Sequence, residues 1–237
     1  MNIYEIQCIP KKEKKFDKAS LIGWLAALYR DGQITENYLI FRKKGCYTAV
    51  VSGYHKNFVE RNCDIQESFK KLSMCCHIKI KKKGKDVDSI QKMCKCNPSP
   101  YYIMKCDNQF TRDDSPFLCG KCHRAVPLYR FPYIKDQEHY VIRCFDSAYR
   151  GIEDAWYHCQ GEKMETEAEQ QMADIASDLN VEGRNICNQL EKKMQIPFYY
   201  CLFSYEQAHE KCPGCGKKFR EEEEASFCDG CRIVIAK

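Results

Sequence analysis

The order of hydrophobic and polar positions near the start of the chain predicts strands around one clear helix. Loose alternation over residues 1–10 indicates an edge strand. Leu21, Leu25 and Leu28 recur with the spacing of one helical face, which predicts a helix over 16–30. Further strands are predicted over 38–42, 47–52 and 75–81, and the first two of these form a hairpin.

In the second half of the chain the hydrophobic period changes from that of strands to that of helices. Extended segments are predicted over 101–105, 126–131 and 140–144, and helices over 146–159, 163–179 and 181–194. Residues 198–205 are almost wholly apolar and aromatic, which predicts a buried strand. The predicted fold is α+β, with an N-terminal α/β portion packed with a central helical region.

Cysteine content sets this chain apart from an ordinary globular protein of 237 residues, because 18 of its residues are cysteine. No run of about 18 apolar residues is present, so no membrane span is predicted. The first residues lack a basic stretch followed by an apolar one, so a secretory signal is not expected either. We therefore expect a cytoplasmic protein whose thiols are free or bind metal, rather than a secreted disulfide scaffold.

The last 33 residues carry the spacing of a zinc ribbon. Two Cys-x-x-Cys pairs are separated by twelve residues, the length of a hairpin, and the ligands are Cys212, Cys215, Cys228 and Cys231. Gly214 and Gly230 permit tight turns in which backbone N–H groups approach the sulfur atoms. Four protein ligands leave no open position on the metal, so the predicted Zn²⁺ is structural and not catalytic.

A second zinc site is predicted in the middle of the chain. It joins a Cys-x-Cys pair to a Cys-x-x-Cys pair across 22 residues, and the ligands are Cys94, Cys96, Cys119 and Cys122. Cys106 and His123 are alternative fourth ligands. Residues 119–123 also spell the c-type haem attachment motif, and a dithiol redox site is a further alternative. Export is not expected and no strand-to-helix turn is predicted here, so zinc is favoured.

The segment around the third Cys-x-x-Cys pair is also the most distinctive part of the sequence. Residues 115–132 read SPFLCGKCHRAVPLYRFP, and Gly183-Arg184-x-Ile186-Cys187 and Phe198-Tyr199-Tyr200 follow. Together they resemble an uncharacterised bacterial family that is described as containing a zinc ribbon and as a candidate for nucleic-acid binding. The resemblance implies a cytoplasmic bacterial protein with a C-terminal ribbon and no established enzyme activity.

Motifs of known enzyme classes are not found. The sequence has no glycine-rich phosphate loop, no H-E-x-x-H, no G-x-S-x-G and no EF-hand loop. None of its six histidines is paired by sequence with a nucleophile, and the pairs Asp113-Asp114 and Asp86-x-Asp88 fall in polar turns. We therefore predict that the protein is not an enzyme, and we identify no small-molecule substrate.

Basic residues are concentrated in the N-terminal part of the chain. Residues 1–100 hold 20 Lys and Arg against 10 Asp and Glu, whereas residues 101–237 hold 18 against 23. Five lysines lie around Gly84, in a stretch predicted as an exposed turn: Lys79, Lys81, Lys82, Lys83 and Lys85. Lysines at this density contact phosphates and make affinity depend steeply on salt, so these five are the predicted nucleic-acid contacts.

A protein partner is the alternative to nucleic acid. Four consecutive glutamates, 221–224, fall within the predicted ribbon hairpin, where they would repel phosphates. An acidic tip would suit a basic partner, as in an adaptor or in an immunity protein that neutralises a toxin. Surface charge decides between the two, because a continuous basic groove favours nucleic acid and an isolated acidic patch favours a protein.

The predicted organisation is an α+β domain over 1–204 and a small C-terminal zinc ribbon over 205–237. A candidate sub-boundary lies near residue 90, with a metal knuckle over 94–122. The expected function is that of a non-enzymatic cytoplasmic zinc-ribbon binding protein whose partner is nucleic acid or another protein.

Overall fold

The computed structural model describes residues 1–11, 16, 18–35, 37–54, 58, 63–85, 93–106, 115–135, 138–159, 161–204 and 209–236. It is a mixed α+β structure, as the sequence predicts at this level, and its strands form two sheets. Among the described residues, no helix combines the length and the apolar character needed to cross a bilayer.

The N-terminal unit alternates strands and helices in the order βαββαβ. Its elements are β1 (Asn2–Pro10), α1 (Lys18–Arg30), β2 (Leu39–Lys43), β3 (Cys46–Gly53), α2 (Cys63–Cys75) and β4 (Cys76–Lys85). The strands lie in the order β2-β3-β1-β4, and all neighbours are antiparallel. This element order and strand order are those of the ferredoxin-like fold.

Two predictions for this unit are wrong. Strand β1 is not an edge strand, because it pairs with β3 on one side and β4 on the other. The lysine-rich stretch 79–85 is not a turn, because β4 runs to Lys85 and pairs with β1 along that length. The sequence pattern does not indicate helix α2, whereas it predicts the hairpin of β2 and β3 within one residue at each end.

The two faces of this sheet differ in character. The inner face packs on α1 and α2, where Tyr4, Ile6 and Cys8 of β1 meet Trp24 and Leu25 of α1 in one core. We call the opposite side the outer face of the N-terminal sheet. It carries the alternate residues of each strand, so polar and charged side chains predominate there.

The C-terminal unit contains a longer sheet and three helices. Its elements are β5 (Tyr102–Met104), β6 (Phe117–Cys119), a 3₁₀ turn (Leu128–Arg130), α3 (Tyr140–His158), α4 (Glu162–Ala173), α5 (Asp178–Met194), β7 (Phe198–Cys201), β8 (Arg220–Glu221), β9 (Ala225–Cys228) and β10 (Ile233–Ala236). The strand order is β6-β5-β7-β10-β9-β8. Strand β7 is parallel to both β5 and β10, and the other neighbours are antiparallel.

Two segments of this unit differ from the prediction. Residues 140–144 are the first turns of α3 and not a strand, because Ile142, Phe145 and Tyr149 share one buried helical face. The helix predicted over 163–179 ends earlier, at Ala173, and the next helix begins at Asp178 instead of at 181. Ser177 separates them by accepting a hydrogen bond from the Asn180 N–H at 3.2 Å, which caps α5.

The ribbon strands belong to the same sheet as the rest of the unit. Strand β10 lies between β7 and β9, with Ile233 opposite Tyr200 and also opposite Cys228. One core runs from Cys94 to Ile235, and the core of the N-terminal unit is separate from it. The division into 1–204 and 205–237 stays a prediction, and the strand pairing and the two cores favour a division near residue 90.

Helix α5 approaches the sheet very closely at Gly183. A Cβ atom at this position would lie 2.3 Å from Cε2 of Tyr200 and 2.8 Å from Cζ of Phe145. The Tyr200 hydroxyl donates to Oδ1 of Asn180 at 2.8 Å, and the Asn180 amide group donates to the Met172 carbonyl at 2.8 Å. The ring of Tyr200 is therefore held directly against the backbone of α5 at Gly183, where there is no side chain to separate them.

Polar contacts join the two units at the end of α1. Arg30 forms an ion pair with Glu138, and the Tyr133 hydroxyl donates to Asp31. The guanidinium of Arg143 lies 4.3 Å from the ring centroid of Tyr29 and donates to its carbonyl at 3.1 Å. These contacts connect the end of α1 to α3 and to the segment that precedes it.

Candidate metal centres

Two groups of four cysteines converge in the described residues. We call Cys212, Cys215, Cys228 and Cys231 the C-terminal cluster, and Cys94, Cys96, Cys119 and Cys122 the central cluster. Within each cluster all four Sγ atoms lie within 4.8 Å of one another. Both clusters are the sets that the sequence spacing brings together, and both could hold a metal ion.

The turns of the C-terminal cluster direct backbone N–H groups at sulfur. The Gly214 N–H donates to Sγ of Cys212 at 3.4 Å, and the Cys231 N–H donates to Sγ of Cys228 at 3.4 Å. A Cβ atom on Gly214 would lie 2.9 Å from Cδ1 of Ile175 and 3.2 Å from Sγ of Cys231. A larger residue here would displace the end of the Ile175 side chain and crowd the Cys231 sulfur, and the N–H groups stabilise negative charge on the sulfurs.

The thiols of this cluster differ in acidity. A hydrogen bond from the backbone of Lys217, helped by contacts with the other three thiols, lowers the pKa of Cys215 to about 7. Burial, together with the thiols of Cys215 and Cys212, raises the pKa of Cys231 to about 12. Four thiolates this close repel one another, and a divalent cation between them offsets that repulsion.

The central cluster is built from the loop before β5 and the turn after β6. The Cys96 N–H donates to Sγ of Cys94 at 3.3 Å, and Oγ of Ser99 lies 3.2 Å from Sγ of Cys119. Burial opposes ionisation of Cys119, but the Ser99 hydroxyl and the backbone N–H groups that follow lower its pKa to about 6. Burial and the Cys119 thiol raise the pKa of Cys94 to about 12.

The alternative ligands of the central cluster lie outside it. Cys106 is buried in the core beside Asp146, and burial raises its pKa well above the usual range. His123 is exposed and follows Cys122 in a left-handed backbone conformation, with φ of 54°. Convergence of Cys119 and Cys122 on two further thiols favours a metal over the haem and dithiol alternatives.

Arg130 supports the central cluster from a distance in sequence. Its guanidinium donates to the carbonyl of Cys94 at 3.1 Å and to the carbonyl of Cys96. These bonds hold the Cys-x-Cys turn in the orientation that presents both sulfurs. No local pattern in the sequence indicates this role, because the contact joins residues 36 positions apart.

We expect Arg130→Gln to weaken metal binding at the central cluster by about 10- to 100-fold, the usual effect of removing a residue that orients ligands. Chelator competition on the purified protein measures this directly. Lys163→Gln, on the exposed surface of α4, removes the same charge elsewhere and serves as the control. Equal metal affinity in the two variants would contradict the role given to Arg130.

The donor set fits zinc. Each cluster offers four sulfur donors and no oxygen or nitrogen donor, and Cys₄ sets of this kind hold Zn²⁺ tetrahedrally in structural sites. With every position filled by protein, a bound ion would supply folding energy and hold turns together.

The five predicted lysines do not share one surface. Lys79 and Lys81 lie opposite Gln7 and Glu5 of β1, on the outer face of the N-terminal sheet. Lys83 joins them at a bulge and contacts Glu5 at 3.1 Å. The other two, Lys82 and Lys85, lie opposite Tyr4 and Asn2, which belong to the inner-face register.

Comparison with known proteins places similarity in the middle of the chain. Residues 96–203 match a family described as a domain of unknown function (DUF2310). The chain is similar to an uncharacterised bacterial family. The matched segment contains three cysteines of the central cluster and none of the C-terminal cluster. It therefore says nothing about the ribbon.

Two relatives are uncharacterised proteins of Haemophilus influenzae. One is 28% identical over 137 residues, covering 51% of this chain and 64% of that protein. The other is 26% identical over 137 residues, covering 51% of this chain and 49% of that protein. The chain thus spans less than two thirds of either relative. No solved structure matches the chain significantly.

Proposed function

We propose that this protein is a cytoplasmic, non-enzymatic nucleic-acid-binding protein that two structural zinc ions stabilise. The observation that carries the nucleic-acid assignment is the row of Lys79, Lys81 and Lys83 along β4, on the outer face of the N-terminal sheet. The two closed Cys₄ clusters support the structural role of zinc. Clusters of reduced thiols also suit a reducing compartment.

The lysine row has a geometry that suits a phosphate backbone. Alternate residues on one face of a strand are about 6.5 Å apart, close to the spacing of successive phosphates in an extended nucleic-acid strand. Lys43 and Lys44, at the turn between β2 and β3, add positive charge on the far side of the same face. The acidic side chain of Glu5 lies between these two groups of lysines.

The acidic segment of the ribbon offers less to a partner than its sequence suggests. Arg220 forms ion pairs with Glu222 and, at 3.2 Å, with Asp229. Glu221 accepts a hydrogen bond from Ser226 at 2.9 Å. Glu223 and Glu224 are exposed and remain available to a basic protein partner. An adaptor or immunity protein is therefore the alternative function that the test below must distinguish.

We expect the triple variant Lys79→Gln, Lys81→Gln, Lys83→Gln to bind random-sequence oligonucleotides at least about tenfold more weakly. Each lysine–phosphate interaction that is removed makes the plot of log affinity against log salt less steep by about 0.7 to 0.9, so three substitutions should reduce its steepness by about 2 to 3. Fluorescence anisotropy over a range of salt concentrations measures both quantities.

The matched control replaces Lys70, Lys71 and Lys163, which lie on helices α2 and α4 and carry the same total charge. An unchanged slope in the β4 variant, or an equal reduction in both variants, would contradict the proposal. Recovery from the native host of one stoichiometric protein that survives nuclease treatment would support the alternative partner.

A further inference from the structure

A cavity of about 380 Å³ opens on the outer face of the N-terminal sheet. Its lining combines one aromatic ring with cationic and polar groups: Glu5, Gln7, Phe41, Lys43, Thr48 and Lys83. Ligand cavities start at about 300 Å³, so there is room for one nucleotide and not for a duplex. The cavity lies in the same face as the lysine row.

We propose that this cavity is a subsite for one unstacked nucleotide and that the protein therefore prefers single-stranded nucleic acid. In this arrangement the base lies against the ring of Phe41, and the adjoining phosphates contact Lys83 on one side and Lys43 on the other. The inference rests on the proposed function, because it concerns the face that carries the lysine row.

The ring of Phe41 is exposed on the sheet surface, where a base can stack on it, and it is not part of the hydrophobic core. It lies on β2 opposite Thr48 of β3, and 42% of its surface is exposed, which is unusual for phenylalanine. Aromatic rings on a sheet are the common platform for unpaired bases, because every base has a face that can stack. In a duplex those faces are occupied by neighbouring base pairs, so the ring selects single strands.

Glu5 pairs with Lys83 and thereby limits affinity for phosphate. Its carboxylate contacts Nζ of Lys83 at 3.1 Å and accepts a hydrogen bond from Gln7 at 2.9 Å. A carboxylate in the lining repels phosphate at short range. The phosphate contacts are therefore assigned to Lys83 on β4 and to Lys43 on β2, on either side of Glu5.

The test compares a short labelled oligo(dT) with a duplex of equal length, using the intact 237-residue chain. We expect the single strand to bind at least about tenfold more tightly. Phe41→Leu should weaken single-strand binding by about tenfold, since an aliphatic side chain cannot replace the stacking of a base on an aromatic ring. Phe41→Tyr keeps an aromatic ring and should bind single strands as tightly as the unmodified protein. Neither variant should change the affinity for the duplex.

The variant Glu5→Gln should change the affinity for single strands in the opposite direction from Phe41→Leu. Removing the negative charge should strengthen single-strand binding severalfold, because the carboxylate no longer repels the phosphate beside it. A gain of affinity cannot arise from a damaged fold. Unchanged or weaker binding in this variant would contradict the placement of phosphate at this cavity.

Cys46 lines the cavity, so the reactivity of its thiol can report whether a ligand occupies the cavity in the unmutated protein. Saturating oligo(dT) should slow alkylation of Cys46, measured by peptide mass spectrometry. Cys144, which is exposed on α3, should react at an unchanged rate. Equal alkylation of Cys46 with and without oligo(dT) would place the ligand elsewhere.

The outcomes separate this inference from the proposed function. Equal affinity for single strand and duplex, with no effect of Phe41→Leu but a reduced salt slope in the lysine variant, would overturn the single-strand subsite and leave nucleic-acid binding standing. An unchanged salt slope in the lysine variant would overturn both.

Discussion

Replacing Cys212 by serine is expected to remove the zinc ion proposed for the C-terminal cluster and to unfold far more than the ribbon. Cys212 and Cys228 are both buried in the core that runs through the whole C-terminal unit. Structural zinc supplies on the order of 10 kcal/mol of folding free energy, which is as large as the whole stability of a typical domain. Strand β10 would lose its anchor, and β7 would then be paired with β5 alone.

The extent of unfolding is the sharper part of this prediction. If the ribbon were an independent module, Cys212→Ser would leave the residues before it intact. The strand order β7-β10-β9 instead predicts loss of protease resistance throughout the C-terminal unit, while a fragment that contains the N-terminal unit survives.

Metal analysis, limited proteolysis and thermal unfolding together measure the effect of Cys212→Ser. Cys144→Ser is the control, because this thiol is exposed on α3 and lies outside both clusters. Full zinc content with native protease resistance in Cys212→Ser would show that the C-terminal cluster is not a zinc site.

Gly183→Ala should destabilise the protein although alanine is the better helix former. The intrinsic preference favours alanine by about 1 kcal/mol. Against this, the new methyl group would overlap the ring of Tyr200 at 2.3 Å, and that ring is fully buried and tethered to Asn180. Overpacking of a core commonly costs about 1–3 kcal/mol and here the overlap is severe, so we expect a net loss of about 2 kcal/mol.

Gly151→Ala is the matched control for Gly183→Ala. Gly151 lies in α3, and no atom would lie within 4 Å of a Cβ there, so this variant should gain up to about 1 kcal/mol. In thermal unfolding the two variants are expected to shift the midpoint in opposite directions. A rise in both would mean that α5 can move away from the sheet at little cost.

The cysteine clusters were predictable because metal-ligand spacing is a local property. A Cys-x-x-Cys turn brings two sulfurs together whatever the rest of the chain does, and two such turns need only meet. Arg130 was not predictable in the same way, since its contacts with the carbonyls of Cys94 and Cys96 depend on the folded path of the chain.

The errors in the fold have a common origin in tertiary pairing. Lysines at 79–85 favour a turn by composition, but pairing with β1 holds them in a strand. Residues 140–144 are rich in strand-forming side chains, yet they are helical because Ile142 joins the buried face of α3. Whether a strand is central or at an edge depends on the strands that pair with it. The residues of β1 by themselves do not show that β3 and β4 lie on either side of it.

The position of the lysine row at the edge of a sheet has a consequence for how the protein behaves in solution. In the described part of the chain β4 is an outermost strand, and its backbone N–H and C=O groups could template pairing with another molecule. Lysine side chains on an edge strand prevent such pairing by repulsion and by their cost of dehydration. The same residues would then keep the free protein monodisperse, and a long polyanion that neutralises them would bring molecules together along its length.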